Sequence, residues 1–286
     1  MRADLGIGES PRARRLLLAA ALLVVTVMLL LPLLVVFTQA IAGGWGMLWA
    51  ALTDPDALSA IRLTLLVAAI VLPVNTIFGL AAAWCLVYFR FPGRALLVAL
   101  IELPFAISPV VAGLMYVLLF GLQGWFGPLL QAMGVKIIFA LPGIVLATVF
   151  VTLPFVARQI MPLMQAQGIE EEEAALTLGA GFWQMFTRVT LPRIRWALLS
   201  GMLLCNARAM GEFGAVSVVS GHISGLTNTM PLQIEILYNQ YNLTAAFAVA
   251  AMLSAMACAT ILLRRLLEWR SQRRLIRGAQ AVLVHA

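Results

Sequence analysis

Charge is scarce in this sequence. Only 11% of its 286 residues are Asp, Glu, Lys or Arg, where a soluble domain carries about 25%. Lysine is almost missing: Lys136 is the only one, and the other 18 basic residues are arginine. No Gly-Lys dipeptide occurs, which excludes the phosphate-cradling loop of nucleotide hydrolases, so the chain binds no ATP by that motif. Histidine is limited to two residues, and no Ser/His/Asp or Cys/His set is placed for catalysis. The three cysteines, Cys85, Cys205 and Cys258, all lie inside apolar runs. They are spaced neither as metal ligands nor as a redox pair and read as small core- or lipid-facing residues. Asp54, Asp56, His222 and Glu235 read as solvated residues of outer segments, and no metal site is expected.

What fills the chain instead is apolar. Hydrophobic residues make up 63% and the mean hydropathy is +1.00. Lipid offers the backbone no hydrogen-bond partners, so an all-α polytopic membrane protein is expected, with membrane lipid as its solvent. Runs of about 20 apolar residues mark a span, and six are read: Leu16–Phe37, Leu63–Tyr88, Ala95–Leu122, Ile137–Ala157, Trp196–Gly221 and Ala245–Leu263. The first follows Arg12, Arg14 and Arg15, and Ala40-Ile41-Ala42 resembles a cleavage site. Its apolar core outruns the roughly 7–15 residues of a signal sequence, so it is expected to stay as an anchor.

The net charge of +7 does not suggest nucleic acid, because the arginines cluster at the ends of apolar runs rather than on one face. With the amino terminus placed in the cytoplasm, sixteen arginines fall inside, Arg62 and Lys136 fall outside, and Arg208 lies within a span. That asymmetry predicts both termini inside, with the polar interval between the fourth and fifth spans also inside.

This interval, residues 165–192, carries the most informative pattern. Glu170 to Glu173 precede Ala174-Ala175, and four acids suit the positive end of a helix dipole. Gly179 and Gly181 are expected to end that helix. A second short helix then places Phe182, Met185, Phe186 and Val189 on one apolar face, until Leu191-Pro192 stops it. Such a face suits docking into a partner's groove. The alternative, lying on the membrane surface, is opposed by the four acids.

The spacing Glu-Ala-Ala-x3-Gly-x9-[Ile/Val]-x-Leu-Pro, filled by Glu173, Gly179, Val189, Leu191 and Pro192, resembles the signature of membrane-spanning permease subunits of bacterial binding-protein-dependent ABC importers. The resemblance covers roughly residues 57–267. Phe91-Pro92-Gly93-Arg94, Ser108–Gly113, Ala207-Arg208 with Gly211–Ala215, and Pro231–Glu235 are similar to sulfate and molybdate permeases. Val216–Gly221 and the run from Trp183 to Leu198 resemble the W-type permease subunit of sulfate/thiosulfate importers. The resemblance implies a type I importer fold with cytoplasmic coupling helices, in a bacterial cytoplasmic membrane. It implies a second, T-type permease subunit, a cytosolic ATPase dimer using ATP and Mg, and a periplasmic or tethered sulfate/thiosulfate-binding protein. It assigns ATPase coupling to Glu173, Ala174, Ala175, Gly179, Phe182, Met185, Phe186, Leu191 and Pro192. A molybdate/tungstate permease and an ion-coupled secondary anion transporter are the alternatives, although no repeated halves suggest the latter.

Inside the expected membrane, Arg208 and Glu212 are four residues apart. On one helix face they would offset each other's cost. They read either as an ion pair fixing helix packing or as part of an anion path or gate. Ser108, Ser217 and Ser220 complete the candidate path. Gly211 and Ala215 are spaced for close helix approach, and Pro104 and Pro109 are expected to disrupt the third span. The organisation expected is an amino-terminal cytoplasmic segment (1–15), an anchor and outer loop (16–56), a permease core (57–267) and a basic cytoplasmic tail (268–286).

Overall fold

Of the two backbone solutions that lipid permits, helix and closed barrel, this chain takes the first. The structure, a computed structural model, describes residues 11–284 and has no strand among them. Residues 1–10 and 285–286, at the tips of the two expected cytoplasmic segments, lie outside the described residues.

Helices α1 (Pro11–Val25) and α2 (Leu31–Ala42) join through a widened π turn at Thr26–Leu30. Pro32 has no N–H to bond to Met28, and Leu31 N–H reaches back five residues to the Thr26 carbonyl. After α3 (Trp45–Thr53), α4 (Pro55–Tyr88) starts well before the expected Leu63. Asp54 caps it, accepting the N–H groups of Asp56 at 2.9 Å and Ala57 at 3.4 Å. Asp54 is therefore a helix cap, a correction to its reading as a merely solvated loop residue.

The third span is not one helix. Helices α5 (Arg94–Ala106) and α6 (Pro109–Phe120) meet at 108°. The Pro109 ring drives Ser108 to an extended ψ of 134°. After α7 (Gly127–Ala132), the fourth span is built from α8 (Leu141–Thr152) and α9 (Pro154–Gln167) and runs past the expected end at Ala157. The polar interval holds α10 (Glu170–Thr177) and α11 (Phe182–Met185). Then come α12 (Leu191–Met210), α13 (Gly214–Ser220), α14 (Met230–Asn239) and α15 (Leu243–Val284). The Phe182–Met210 stretch and α13 are bent by 51°. Among the described residues four helices are long and apolar enough to cross a membrane unbroken, and the two bent pairs bring the number to six.

Helices in lipid gain little from hydrophobic burial, so close packing and polar contacts hold them together. A Cβ on Gly79 of α4 would lie 2.7 Å from Val156 Cβ and 2.9 Å from Ala157 N of α9. One on Gly113 of α6 would lie 2.7 Å from the Ala215 carbonyl of α13. The close approach expected of Gly211 with Ala215 is thus made by Gly113 with Ala215. Gly211 itself is exposed and ends α12. Asn75, fully buried on α4, donates through Nδ2 to Thr152 Oγ1 at 2.7 Å, with Cys205 Sγ of α12 3.6 Å away. This single amide ties three spans, and Cys205 is the one cysteine placed in the core.

Candidate functional site: the polar interval and the broken helices

The four glutamates do occupy the first turn of α10. The helix ends in a tight reversal. Ala180 N–H reaches the Ala175 carbonyl at 3.0 Å, and Gly179 N–H reaches the Leu176 carbonyl at 3.0 Å. Gly179 has φ +85° with open space around it, so backbone conformation alone demands glycine there. Gly181 does not share that role. Its φ is −70°, and it starts α11, with its N–H bonded to Gln184 Oε1 at 3.2 Å.

The expected apolar face of α11 divides in two. Met185 is buried in the chain's own core at 4% exposure. Phe186 packs edge-on against Trp84 of α4, with centroids 5.5 Å apart, and Trp84 stacks on Tyr88 at 4.3 Å. Phe182 and Trp183 remain exposed, as do Leu176 and Leu178 from the turn before. The surface left for a partner is therefore Leu176, Leu178, Phe182 and Trp183. Phe186 instead moors the helix to α4, and exposed Phe182 also meets Trp84 edge-on, with centroids 5.7 Å apart. The reason is Trp84, whose arrival from a distant helix no local periodicity reveals.

Leu191-Pro192 does not stop this helix either. A π turn at Phe186–Thr190 carries it into α12, with Leu191 N–H bonded to the Phe186 carbonyl. The device repeats the Leu31-Pro32 junction, where a missing proline N–H widens the preceding turn instead of ending the helix. Residues 182–210 thus form one rod from the polar interval into the membrane.

Acids of the interval have different fates. Glu173 is exposed, as is Ala174, and Glu173 has no side-chain partner among the described residues. Its neighbour Glu172 is buried at 4% exposure, accepting from Thr190 Oγ1 at 3.0 Å and pairing with Arg193 Nη1 at 2.8 Å. Sequence reasoning missed this pair. Its members lie 21 residues apart, across a turn whose closure alone brings them together.

Deeper along the rod, α12 ends at Met210, so Arg208 and Glu212 do not share one helix face as expected. They straddle the break. Arg208 Nη1 approaches Glu212 Oε2 at 2.5 Å as a charge contact, without the alignment of a hydrogen bond. Glu212 Oε1 accepts the Ala215 N–H at 2.9 Å. The carboxylate is almost wholly buried, whereas the Arg208 side chain keeps 32% exposure. Glu212 therefore serves two ends at once, pairing the last turn of α12 and capping the start of α13.

The second break lies alongside. Pro109 Cβ is 3.0 Å from where a Cβ on Gly214 would stand, so the turn at Ser108 abuts the start of α13. Ser108 is exposed at that turn. Ser217 donates to the Gly214 carbonyl at 2.9 Å, and buried Ser220 accepts the His222 N–H at 3.2 Å. The structure brings Ser108 to the charged break but commits Ser217 and Ser220 to local bonds of their own segment.

Two broken apolar helices packed at a buried charge, joined by an unbroken rod to a polar interval with an apolar tip, define an all-helical transport subunit of a membrane. The chain belongs to the family of binding-protein-dependent transport system inner membrane components, which it matches over residues 75–275. It is 51% identical to the sulfate transport system permease protein CysW of Escherichia coli (strain K12), over 87% of this chain and 86% of that protein. It is 52% identical to the CysW protein of Synechocystis sp. (strain ATCC 27184 / PCC 6803 / Kazusa), over 84% and 87%. The sulfate transport system permease protein CysT of Escherichia coli (strain K12) is 38% identical, over 86% and 88%. Among solved structures, a chain of a bacterial alginate ABC transporter in complex with an alginate pentasaccharide-bound periplasmic protein aligns with TM-score 0.69. That match has 19% identity and covers 88% of this chain and 93% of that one. At that identity it shows the shared fold alone.

Proposed function

We propose that this chain is the membrane-spanning permease subunit of an ATP-driven sulfate/thiosulfate importer. It forms half of the translocation path, beside a T-type permease subunit. The chain itself is non-catalytic. A separate cytosolic ATPase dimer binds ATP and Mg, and a periplasmic or tethered binding protein delivers the anion. The observation that carries the reading is the likeness to two CysW permeases along more than four-fifths of the chain, at 51% and 52% identity. The missing Gly-Lys dipeptide and the exposed tip of Leu178 and Trp183 fit a subunit that borrows its energy. A molybdate/tungstate permease and an ion-coupled secondary transporter lack a comparable observation.

Deletion of the gene should abolish ATP-dependent sulfate uptake in membrane vesicles, and restoring this chain should return it, with a second, similar permease copurifying. Molybdate uptake lost while sulfate uptake persists would overturn the reading.

The orientation has its own test. The positive-inside asymmetry puts both termini and the 165–192 interval in the cytoplasm. In a background without Cys85, Cys205 and Cys258, Asp56→Cys should react with an impermeant thiol reagent in intact cells. Gly181→Cys should be shielded until the cells are opened. Both positions are exposed on the chain, so access depends on the side of the membrane. The reverse pattern would invert the topology.

A further inference from the structure

Arg193 stands in the first turn of α12 and reaches three groups of the preceding segments. Nη1 pairs with Glu172 Oε2 at 2.8 Å, Nε lies 3.3 Å from Glu171 Oε2, and Nη2 donates to the Gln167 carbonyl at 3.0 Å. Gln167 is the last residue of α9, so that carbonyl is one of the acceptors a helix end leaves unpaired. Glu172 is held from its other oxygen by Thr190, from the π turn that leads into α12. The Tyr88 phenol, on the last turn of α4, faces the same carboxylate. One guanidinium therefore joins the end of α9, the start of α10 and the start of α12, and Glu172 links that knot to α4. The Arg193 side chain keeps only 17% exposure.

The exposed tip, Leu176, Leu178, Phe182 and Trp183, lies between the two halves of this knot in sequence. The far end of α12, about 30 Å away at 1.5 Å per residue over its 20 residues, carries Arg208 and the break at Gly211. Helix α10, flanked by positive-φ glycines, Gly168 at φ +68° and Gly179 at φ +85°, would otherwise flex and absorb a push. We propose that Arg193, acting through Glu172, is a positioning residue that locks α10 and the Leu176 and Leu178 half of the tip to the rod that already carries Phe182 and Trp183, so that force applied at the tip moves both as one body. The proposal rests on the importer reading above. It concerns transmission and leaves docking itself to the exposed residues.

Two measurements on the complete importer, in a cysteine-free background, separate the possibilities. In the first, spin labels at Glu170→Cys in α10 and Leu199→Cys in α12, both exposed and outside the docking tip, report the spacing between interval and rod. The distance distribution should be narrow in the parent, broad with Arg193→Met or Glu172→Gln, and intermediate with Arg193→Lys, which keeps one charge contact but cannot span all three groups. An unchanged distribution in Arg193→Met would overturn the lock whatever the complex transports. In the second, uptake and ATP hydrolysis are read from the same proteoliposomes. Arg193→Met leaves Glu172 without its counter-charge and should lower abundance, so rates are read per assembled complex: hydrolysis should stay within about threefold of the parent rate, while sulfate moved per ATP falls at least tenfold. Uptake and hydrolysis falling in proportion to the amount of assembled complex would reduce Arg193 to a folding role and overturn the proposal. The parent complex reads the function separately. If it shows no ATP-dependent sulfate uptake, the importer reading falls while the spin-label result still judges the lock.

Discussion

Glu173→Lys is expected to reach the membrane at parental abundance and to abolish sulfate uptake. Glu172→Lys, one residue earlier, is expected to fail differently, with little folded protein to assay. The two acids are adjacent in the same helical turn, yet their surroundings are opposite. Glu173 is exposed and has no side-chain partner among the described residues, so reversing its charge breaks no side-chain contact within the chain and costs only its favourable place at the start of α10, about 0.3–1 kcal/mol. If it meets basic residues of a partner, the reversed charge juxtaposes like charges, which costs several kcal/mol at an interface. Copurification with the ATPase subunit should weaken in parallel. Glu172 is buried between Thr190 and Arg193. A lysine there faces the guanidinium in a site with little water, and removing one partner of a buried pair already costs about 3–5 kcal/mol. Membrane abundance and uptake, measured for both variants, check the contrast. Full uptake by Glu173→Lys would end the assignment of that residue to coupling, and normal abundance of Glu172→Lys would contradict the buried pair.

That contrast also marks how far the sequence could be read. The apolar runs, the acids at the start of α10 and the turn at Gly179 are local, and local chemistry dictates them. Proline positions were equally visible, but their outcomes differ with setting. Pro73 is absorbed within α4, Pro109 breaks a span by 108°, and Pro32 and Pro192 only widen a turn. Which outcome follows depends on the packing around each proline, and one sequence does not state its neighbours. Asp54-Pro55-Asp56 carried a legible signal, a cap residue followed by proline at the first helical position. The packing of Phe186 on α4 and the pairing of Glu172 with Arg193 carried none, because Trp84 and the closing interval create them. At the charged break the spacing of Arg208 and Glu212 announced a pair, while the end of α12 between them stayed hidden.

The break supports an unequal prediction for its two charges. Arg208→Met should strip the assembled protein from the membrane, and Glu212→Gln should do so far less. Without Arg208, a carboxylate that is almost wholly buried loses its only counter-charge among the described residues, at a cost of about 3–5 kcal/mol. Without the Glu212 charge, Arg208 keeps a third of its side chain open and can turn its head outward. The amide carbonyl of the introduced glutamine can still accept the Ala215 N–H that caps α13, a bond now made by Glu212 Oε1 at 2.9 Å. The double variant, Arg208→Met with Glu212→Gln, removes the mismatch and should recover abundance, since a buried pair replaced as a unit is often neutral. If the pair fixes the bend and nothing more, sulfate uptake should return with abundance in the double variant. If Arg208 instead meets the passing anion, the double variant should assemble normally and transport nothing. The expected result is recovery of both, because Glu212 supplies Arg208 with a partner before any anion arrives. Normal abundance without uptake would assign Arg208 to the path and leave Glu212 as the counter-charge that a crossing anion displaces.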